Sequence, residues 1–373
     1  MIETDPPMNN IYIGIMSGTS VDAIDLVAIT IKGNHFNIVG ATSIEFPNHL
    51  RTKILKITRD SKAREPEEIT ELDYNLGVEY SNAVNQLLKI YRIKKSEVEA
   101  IGLHGQTIGH FPNAKIPRSI QIGDADLVSS RTGLKCIANF RGADIAAGGQ
   151  GAPLSPIFHS WLFRMPNKNR SVINIGGISN ISILDDQPLR GHDLGPGNVL
   201  LDSWIQAHAI ANYDKDGRWA RQGQTDEYLL NSFLNDDFLN MGPPKSTGSD
   251  YFNLDWIKTK LKKSQRNIAP QNVQSTLTEL SARIISDYLN SLSSINEAAV
   301  CGGGSKNEYL IERIKKLYQG KLFKTEEWGM DSQWVEASGF AYLAYLRLKE
   351  QALDLSSITG SRKKVRLGEI HSP

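Results

Sequence analysis

Hydrophobic and polar residues at the start of the chain follow a pattern typical of two paired strands. Residues 11–16 are almost wholly apolar, which predicts a short buried strand, and residues 17–20 predict a glycine and hydroxyl turn. Residues 21–31 then alternate between the two faces of a second strand. A strand, a tight turn and another strand indicate a hairpin rather than a strand–helix unit.

The rest of the chain alternates predicted strands with predicted helices, as in α/β proteins. Leu72 and Leu76 belong to a helically spaced set that predicts a helix over residues 65–91. Further strands are predicted at 97–104, 119–122, 134–139, 171–175, 181–184 and 298–301, a loop at 105–107, and further helices near 156–163, 198–211, 276–292 and 335–349. Thr276 and Glu279 have the spacing of a capping box.

The opening pattern recurs in the second half of the chain. The predicted strand at 171–175 is followed by a glycine and serine turn at 176–180 and by another strand. This is a weak internal repeat of secondary structure, not of residue identity. The length of 373 residues also fits two domains. The stretch 142–156, rich in glycine, alanine and proline, predicts a crossover between them.

Composition narrows the class of protein. Hydrophobic residues make up 40% and charged residues 22%, as in soluble globular proteins. The net charge of +1 gives no argument for nucleic acid or anionic membranes as partners. Two distant cysteines without metal-site spacing suit a reducing compartment, and a single disulfide is the alternative. With no secretory pattern in residues 1–10 and no long apolar run, the expected location is the cytoplasm.

Three turns rich in glycine and hydroxyl residues suit phosphate binding, namely residues 17–20, 176–179 and 302–305. Glycine lets the backbone approach a ligand closely, and serine and threonine add donors. One such turn alone is common in hairpins. Three at strand ends favour a cleft between two domains, in which turns from both sides bind the phosphate. None matches the P-loop or the dinucleotide-binding pattern.

Asp193 lies in the segment 191–198, which predicts a loop stiffened by glycine and proline before a helix. Such a carboxylate suits a general base, and the helix N-terminus suits an anion. The alternative is a turn that opens the helix, in which Asp193 only accepts hydrogen bonds from backbone amides.

Four other polar residues suit recognition of a small polar molecule. His104, Gln106 and Thr107 follow a predicted strand and suit hydroxyl or amide groups, and Arg141 suits a carboxylate because its guanidinium can bind one through two hydrogen bonds. A half-buried histidine and a surface ion pair are the respective alternatives for His104 and Arg141.

Two carboxylates are candidates for holding Mg²⁺, directly or through water. Asp22 follows the first turn and Glu336 opens the last long helix, and Mg²⁺ commonly binds one or two carboxylates beside several waters. Solvated surface carboxylates are the alternative. The loop 243–248 combines a lysine with hydroxyl groups, which suits either a phosphate contact or a plain surface loop.

Segments that occur in order along almost the whole chain carry a family resemblance: residues 13–22, 104–107, 121–124, 148–154, 174–180, 193–198, 244–248, 251–253 and 301–305. Together they resemble the anhydro-N-acetylmuramic acid kinases. The resemblance implies an α/β fold of two actin-like (ribonuclease H-like) domains, with mixed sheets flanked by helices and an ATP cleft between them. It places the domains at 1–139, on the sugar and phosphate side, and 140–373, on the nucleotide side, with the last helix packing back on the first domain.

The resemblance also implies an activity. Members use ATP and Mg²⁺, form homodimers and recycle cell-wall sugars. They open the anhydro bond of 1,6-anhydro-N-acetylmuramic acid with water and phosphorylate O6, giving N-acetylmuramate 6-phosphate and ADP. Levoglucosan, which lacks the lactyl and N-acetyl groups, is an alternative substrate for the same fold. A non-catalytic actin-like ATP-binding module is the alternative from another class.

The roles carried over from the family fall on matching positions of this sequence. Asp193 matches the catalytic base. The positions implied for ATP are Gly18, Thr19, Ser20, Val21, Asp22, Ala23, Ile24, Asp25, Gly176, Gly177, Ser179, Asn180, Gly302, Gly303, Gly304 and Asn307. Those implied for the sugar are His104, Gln106, Thr107 and Arg141, and those for Mg²⁺ are Asp22 and Glu336.

Two positions depart from the family pattern. Leu194 stands where threonine is usual, which removes a hydroxyl beside the base, and Asn139 stands where aspartate is usual, which removes a negative charge near the sugar. Asp193 and Arg141 are retained, so the departures bear on substrate preference and rate rather than on the reaction class.

Overall fold

The computed structural model describes residues 10–18, 21–33, 35–59, 65–112, 114–208 and 210–373. The chain divides into two compact units. Unit 1 holds the described residues up to Gly151 with Trp334–Ser356 and Gly360–Pro373, and unit 2 holds Ala152–Gln333 with Ser357–Thr359. The predicted boundary between residues 139 and 140 lies inside unit 1, because the glycine-rich stretch up to Gly151 belongs with the first half.

Unit 1 is built on a mixed sheet. Its strands are β1 (Ile11–Ser17), β2 (Ala23–Lys32), β3 (His35–Glu45), β4 (Val98–Leu103), β7 (Cys136–Ala138) and β13 (Glu369–His371), in the order β13-β7-β4-β1-β2-β3. A separate pair consists of β5 (Gln106–Phe111) and β6 (Arg118–Ile122). The helices are α1 (Asn48–Arg59), α2 (Pro66–Ile90), α3 (Ala125–Thr132), α4 (Gly142–Ala146) and α12 (Val335–Leu348).

Unit 2 has a second mixed sheet with helices on its faces. Its strands are β8 (Arg170–Ile175), β9 (Ile178–Leu184), β10 (Arg190–Pro196), β11 (Glu297–Cys301) and β12 (Lys321–Lys324), in the order β10-β9-β8-β11-β12. The helices are α5 (Ser155–Phe163), α6 (Val199–Ala207), α7 (Glu227–Leu234), α8 (Asp237–Asn240), α9 (Leu254–Ser264), α10 (Pro270–Ser291) and α11 (Glu308–Leu317). None of the helices in the described ranges is long and apolar enough to span a bilayer.

The two sheets share one topology. In each, the first strand pairs antiparallel with the second and the second with the third, as in β1-β2-β3 and β8-β9-β10. The fourth strand, β4 in unit 1 and β11 in unit 2, pairs parallel with the first strand. The fifth strand, β7 or β12, pairs parallel with the fourth. This is the ribonuclease H-like order, so the predicted class of two actin-like α/β domains with mixed sheets is confirmed.

Glycines in unit 1 let α12 lie directly on the sheet. A Cβ atom on Gly14 of β1 would overlap the Ala337 carbonyl, and one on Gly102 of β4 would overlap the Phe340 carbonyl. Only glycine permits such an approach of helix backbone to strand backbone. The C-terminal helix is therefore a structural part of unit 1.

Several local predictions are wrong. Gln106 begins β5 instead of lying in a loop, and Asp193 lies within β10. The helix predicted from residue 276 begins at Pro270, because proline suits the first helical position. Thr276 and Glu279 are therefore buried inside α10 and do not cap it. The two cysteines are buried free thiols, as predicted for a reducing compartment.

Adding a methyl group at Gly14 tests the contact with α12. We expect Gly14→Ala to lower the free energy of unfolding by roughly 1–3 kcal/mol, because α12 must shift to remove the overlap. Urea unfolding followed by tryptophan fluorescence measures the change. Gly242→Ala is the control, since a Cβ there would meet no atom within 4 Å. Equal midpoints for the two variants would contradict the close contact.

Candidate functional site

Two glycine-rich turns of unit 2 meet at the C-terminal ends of its parallel strands. β8 and β11 are neighbours, with Asn174 beside Cys301, so the turns that follow them are adjacent. Gly302 has a φ of +79°, and a Cβ there would lie 2.8 Å from the Ile175 carbonyl oxygen. A Cβ on Gly304 would also overlap the Ile175 side chain. The 302–305 turn thus packs tightly against the end of β8.

Other glycines of the same turns border open space. A Cβ on Gly176 would meet only the Ile178 carbonyl oxygen, at 3.4 Å, and one on Gly303 only Asn198 Nδ2, at 3.8 Å. The backbones of Gly176 and Gly303 are therefore accessible, and the amide side chain of Asn198 lies near Gly303. This is the arrangement that phosphate oxygens require, because backbone N–H groups can approach them without an intervening side chain.

The start of α6 is braced by the first of these turns. The N–H groups of Gly197 and Val199 donate to the Gly177 carbonyl at 2.9 and 3.1 Å, and the Asn198 N–H donates to the Gly176 carbonyl at 2.9 Å. The prediction that this helix N-terminus receives an anion is therefore wrong for these three donors. They fix the turn instead.

Other positions predicted for ATP have structural contacts. The Asn307 side chain caps α11 by accepting the Leu310 N–H at 3.0 Å, and Asn180 Oδ1 accepts a hydrogen bond from Ser155 Oγ at 2.6 Å. Ser179 is fully buried, and its hydroxyl has no hydrogen-bond partner among the described atoms. An unsatisfied hydroxyl of this kind is costly unless a ligand or water completes it.

The carboxylate of Asp193 is buried and held by a neighbouring loop. Its side chain is 5% exposed, and Oδ2 accepts the Thr247 N–H at 2.9 Å. The Asp193 N–H in turn donates to the Lys245 carbonyl at 3.1 Å. Asp193 lies opposite Asn180 in the sheet, so both side chains project from the same face. The loop 243–248 therefore positions the candidate base.

Lys245 supports this loop from inside the protein. Its ammonium donates to the carbonyls of Phe238 and Leu239 at 3.0 and 3.3 Å, at the end of α8. Burial lowers the pKa of Lys245, and the charge of Asp193 opposes that lowering. These bonds give the lysine a structural role, which differs from both the phosphate contact and the surface loop considered from the sequence.

Leu194 points away from the candidate base. Its side chain is 3% exposed and packs in the apolar cluster that includes Ile181, Ala282 and Leu289. The pairing of β10 with β9 is irregular at Leu194, so its packing partner decides the face. Ile181 follows Asn180 on β9 and projects from the face opposite Asn180 and Asp193, and Leu194 packs with it there. The replacement of a family threonine by leucine thus falls in the apolar core.

In unit 1, the buried His104 and the partly buried Arg141 form a hydrogen-bonded pair. Arg141 Nη2 donates to His104 Nε2 at 2.9 Å, and Nη1 donates to the Gly151 carbonyl at 2.8 Å. Because Arg141 can only donate, the His104 ring accepts and is neutral. Burial, with the Arg141 charge, lowers the pKa of His104 to about 3. Arg141 is thus held inside unit 1 and not in a surface ion pair.

Aromatic packing from α12 fixes this pair. The Phe340 ring lies 4.6 Å from the His104 ring and 5.5 Å from the Phe140 ring, measured between centroids. Phe140 directly precedes Arg141. The helix that rests on the glycines of β1 and β4 therefore also supports both residues of the pair.

Gln106 and Thr107 take part in neighbouring networks. Gln106 is fully buried, and its Nε2 donates to the Gly18 carbonyl at 3.3 Å. Its Oε1 has no hydrogen-bond partner among the described atoms. Thr107 Oγ1 accepts a hydrogen bond from Gln121 Nε2 at 3.1 Å. The sugar-side candidate Gln106 thus contacts the first turn, where phosphate binding is predicted.

A cavity of about 640 Å³ opens within unit 1. It is lined by His104, Gln121, Asp124, Asn139, Glu369 and His371, among others. The volume exceeds that of a monosaccharide. No local pattern indicated Glu369 or His371, which lie far along the chain, whereas Gln121 and Asp124 fall in a family segment.

The remaining predicted positions differ in accessibility. Val21 and Ile24 are buried in the core of unit 1, while Asp22 is exposed and forms an ion pair with Arg51 at 3.0 Å. Glu336 lies in the first turn of α12. Gly18, Ala23 and Asp25 lie at or beside the hairpin turn, and Thr19 and Ser20 lie outside the described residues.

The fit of a metal ion rests on the two predicted carboxylates. Among the described residues, no group of three or more His, Cys, Asp or Glu side chains is placed to hold a metal ion. Mg²⁺ needs only one or two carboxylates when waters and phosphates complete its coordination, so Asp22 and Glu336 suit it in chemical type. Their role stays a prediction.

Comparison with known proteins decides the family. The profile of the family described as "Anhydro-N-acetylmuramic acid kinase" matches residues 10–373. The chain belongs to this family. It is 42% identical over 364 residues to the anhydro-N-acetylmuramic acid kinase of Pasteurella multocida, covering 96% of each chain. It is 40% identical over 364 residues to that of Aliivibrio fischeri, covering 96% of this chain and 98% of the other.

A solved structure was also matched. Component A of the (R)-2-hydroxyglutaryl-CoA dehydratase of Acidaminococcus fermentans has 12% identity and a TM-score of 0.44, covering 91% of this chain and all of that one. Similarity at this level carries no functional argument. The assignment to the anhydro-N-acetylmuramic acid kinase family rests on sequence.

The neutral state of His104 predicts a pH dependence of stability. Its pKa is about 3 in the folded protein and 6.5 in the unfolded chain, so only the unfolded chain gains this proton at pH 5. Stability must therefore fall as the pH drops below 6.5. The His104→Gln variant keeps an acceptor for Arg141 but cannot take up this proton. Between pH 7 and pH 5 we expect its free energy of unfolding to fall by about 2 kcal/mol less than that of wild type.

Urea unfolding at several pH values measures this difference. His35→Gln is the control, because His35 is exposed at the start of β3. Parallel pH profiles for wild type and His104→Gln would show that His104 takes up its proton in the folded state as well.

Proposed function

We propose that this chain is an ATP-dependent kinase that opens 1,6-anhydro-N-acetylmuramic acid with water and phosphorylates O6. The products are N-acetylmuramate 6-phosphate and ADP. The observation that carries the proposal is the buried carboxylate of Asp193, held by the Thr247 N–H in the unit that also contains two accessible glycine backbones, in a member of this family.

Asp193 is the proposed general base. The Thr247 N–H stabilises the ionised carboxylate, which favours the form able to take a proton. Asp193 takes a proton from water while the water oxygen bonds to the anomeric carbon. The bond between C1 and O6 breaks, O6 attacks the γ-phosphorus, and ADP leaves. One water, one sugar and one ATP are consumed, and the proton on Asp193 returns to solvent.

Phosphate binding is proposed at the glycine turns. Gly176 and Gly303 present backbone near Asn198, and the turn at Gly18 provides a further site. Phosphoryl transfer depends mainly on positioning and on neutralising charge, which matches sites built from backbone donors. Mg²⁺ held by Asp22 and Glu336 would supply the neutralising positive charge.

Sugar binding is proposed in unit 1. Arg141 suits the lactyl carboxylate of the muramyl sugar, and His104 fixes the guanidinium without competing for charge because its ring is neutral. The buried Gln106 Oε1 is suited to accept a hydrogen bond from a sugar hydroxyl. These features favour the muramyl sugar over levoglucosan, which has no carboxylate.

The cellular setting is part of the same proposal. A cytoplasmic homodimer that acts in cell-wall sugar recycling fits the family and the buried free thiols of Cys136 and Cys301.

Isotope labelling tests the reaction and the base together. Enzyme, 1,6-anhydro-N-acetylmuramic acid, ATP and Mg²⁺ are combined in ¹⁸O-labelled water, and the product is analysed by mass spectrometry. We expect a 6-phosphorylated sugar with ¹⁸O at the anomeric carbon. We expect Asp193→Asn to lower kcat by at least 100-fold, because the amide cannot take the proton.

The asparagine variant keeps an acceptor for the Thr247 N–H, so loss of activity reports chemistry and not folding. Turnover of levoglucosan alone would assign the chain a different sugar. ATP consumption without any sugar would favour a non-catalytic or regulatory ATP-binding module.

A second prediction concerns the substrate carboxylate. We expect Arg141→Ala to raise KM for the muramyl sugar roughly 10–100-fold, since a hydrogen-bonded ion pair is lost. KM for ATP should not change. Arg218→Ala is the control, because Arg218 is 73% exposed and pairs with Asp216 at the surface. Equal loss of activity toward muramyl sugar and levoglucosan would contradict a carboxylate contact.

A further inference from the structure

β13 is an additional edge strand of unit 1 that has no counterpart in the described sheet of unit 2. It pairs antiparallel with β7, with Glu369 opposite Ala138. Arg347 Nε donates to the Gly368 carbonyl at 2.9 Å, and Ser129 Oγ donates to the His371 carbonyl at 3.2 Å. The strand is therefore fixed at both ends.

Alternate side chains of β13 have different surroundings. Glu369 and His371 line the unit 1 cavity together with His104 and Asn139, whereas Ile370 does not, although Glu369 and Ile370 are both exposed. Successive residues of a strand project to opposite faces, which accounts for the difference. One face of β13 is thus a wall of the unit 1 cavity, which one sugar-side candidate, His104, also lines.

Glu369 orients the amide of Asn139. Glu369 Oε1 accepts a hydrogen bond from Asn139 Nδ2 at 2.7 Å, and Asn139 Oδ1 accepts the Gly142 N–H at 3.2 Å. Asn139 has a φ of +50°, a conformation that asparagine adopts more readily than most residues. A carboxylate at position 139 would repel Glu369, so this amide and this carboxylate suit one another.

The amide of Asn139 connects β13 to Arg141. Gly142 begins α4 immediately after Arg141, and Arg141 holds His104 and the Gly151 carbonyl. The chain of contacts runs from Glu369 through Asn139 to the backbone beside Arg141. Loss of the first contact would release the amide that fixes this backbone.

We propose that Glu369 is a positioning and specificity-determining residue for the sugar. Its carboxylate fixes Asn139 and thereby the segment that carries Arg141, and it accepts a hydrogen bond from a hydroxyl or an amide N–H of the anhydro-amino sugar. This inference rests on the proposed function.

Kinetics of three full-length variants test the inference: Glu369→Ala, Glu369→Gln and Ile370→Ala. We expect Glu369→Ala to raise KM for 1,6-anhydro-N-acetylmuramic acid roughly tenfold, the effect of losing a hydrogen bond to a charged group. KM for ATP should stay within twofold of wild type. Glu369→Gln keeps an acceptor for Asn139 and should recover most of the loss. Ile370→Ala should match wild type, as a control on the same strand.

Hydrogen exchange gives a readout that needs no turnover. We expect backbone amides of residues 139–146 to exchange faster in Glu369→Ala than in Ile370→Ala. Unchanged exchange, or a sugar KM within twofold of wild type, would overturn the inference. An equal rise of both KM values would also overturn it, since that indicates a general structural defect. The exchange difference between the variants could also be found while the wild type turns over no anhydrosugar. That result would reject the proposed function and leave Glu369 only the role of positioning residues 139–146.

Discussion

Direct contact between the backbone of α12 and two glycines is the constraint on which the sugar side of this protein depends. Gly14 and Gly102 leave no room for a side chain beneath Ala337 and Phe340. The helix can therefore lower Phe340 onto His104 and Phe140, which fixes the residues on either side of the proposed carboxylate contact. The position of Arg141 is thus set by residues some two hundred positions away in sequence.

A different constraint governs the candidate base. A buried carboxylate is destabilising unless hydrogen bonds compensate for lost hydration. Asp193 receives such a bond from Thr247, on a loop fixed in turn by the buried ammonium of Lys245. The ammonium of Lys245 donates its hydrogen bonds to backbone carbonyls that hold the loop and not to Asp193. The loop and the candidate base therefore form one structural feature.

Sequence patterns predicted both hairpins and the strands that carry the glycine turns, because these signals are local. They did not predict β3 or α1. They placed Asp193 in a loop because glycine and proline surround it, yet β10 is an edge strand, where a terminal proline is tolerated. The contact between Asn139 and Glu369 joins residues 230 positions apart, and no local pattern carries such information. The residue types and the family resemblance both indicated Asp193, Arg141 and His104, but neither indicated the strand that borders the cavity.

The division of the chain has a consequence for its synthesis. Unit 2 is formed almost entirely by one continuous stretch, residues 152–333. Unit 1 takes its covering helix and its last edge strand from residues made after that stretch. Domains that emerge from the ribosome generally fold as units. Here unit 1, whose first residues are translated before those of unit 2, can complete its folding only after unit 2 has been translated. Until α12 is made, the face of its sheet that α12 covers must avoid binding other chains.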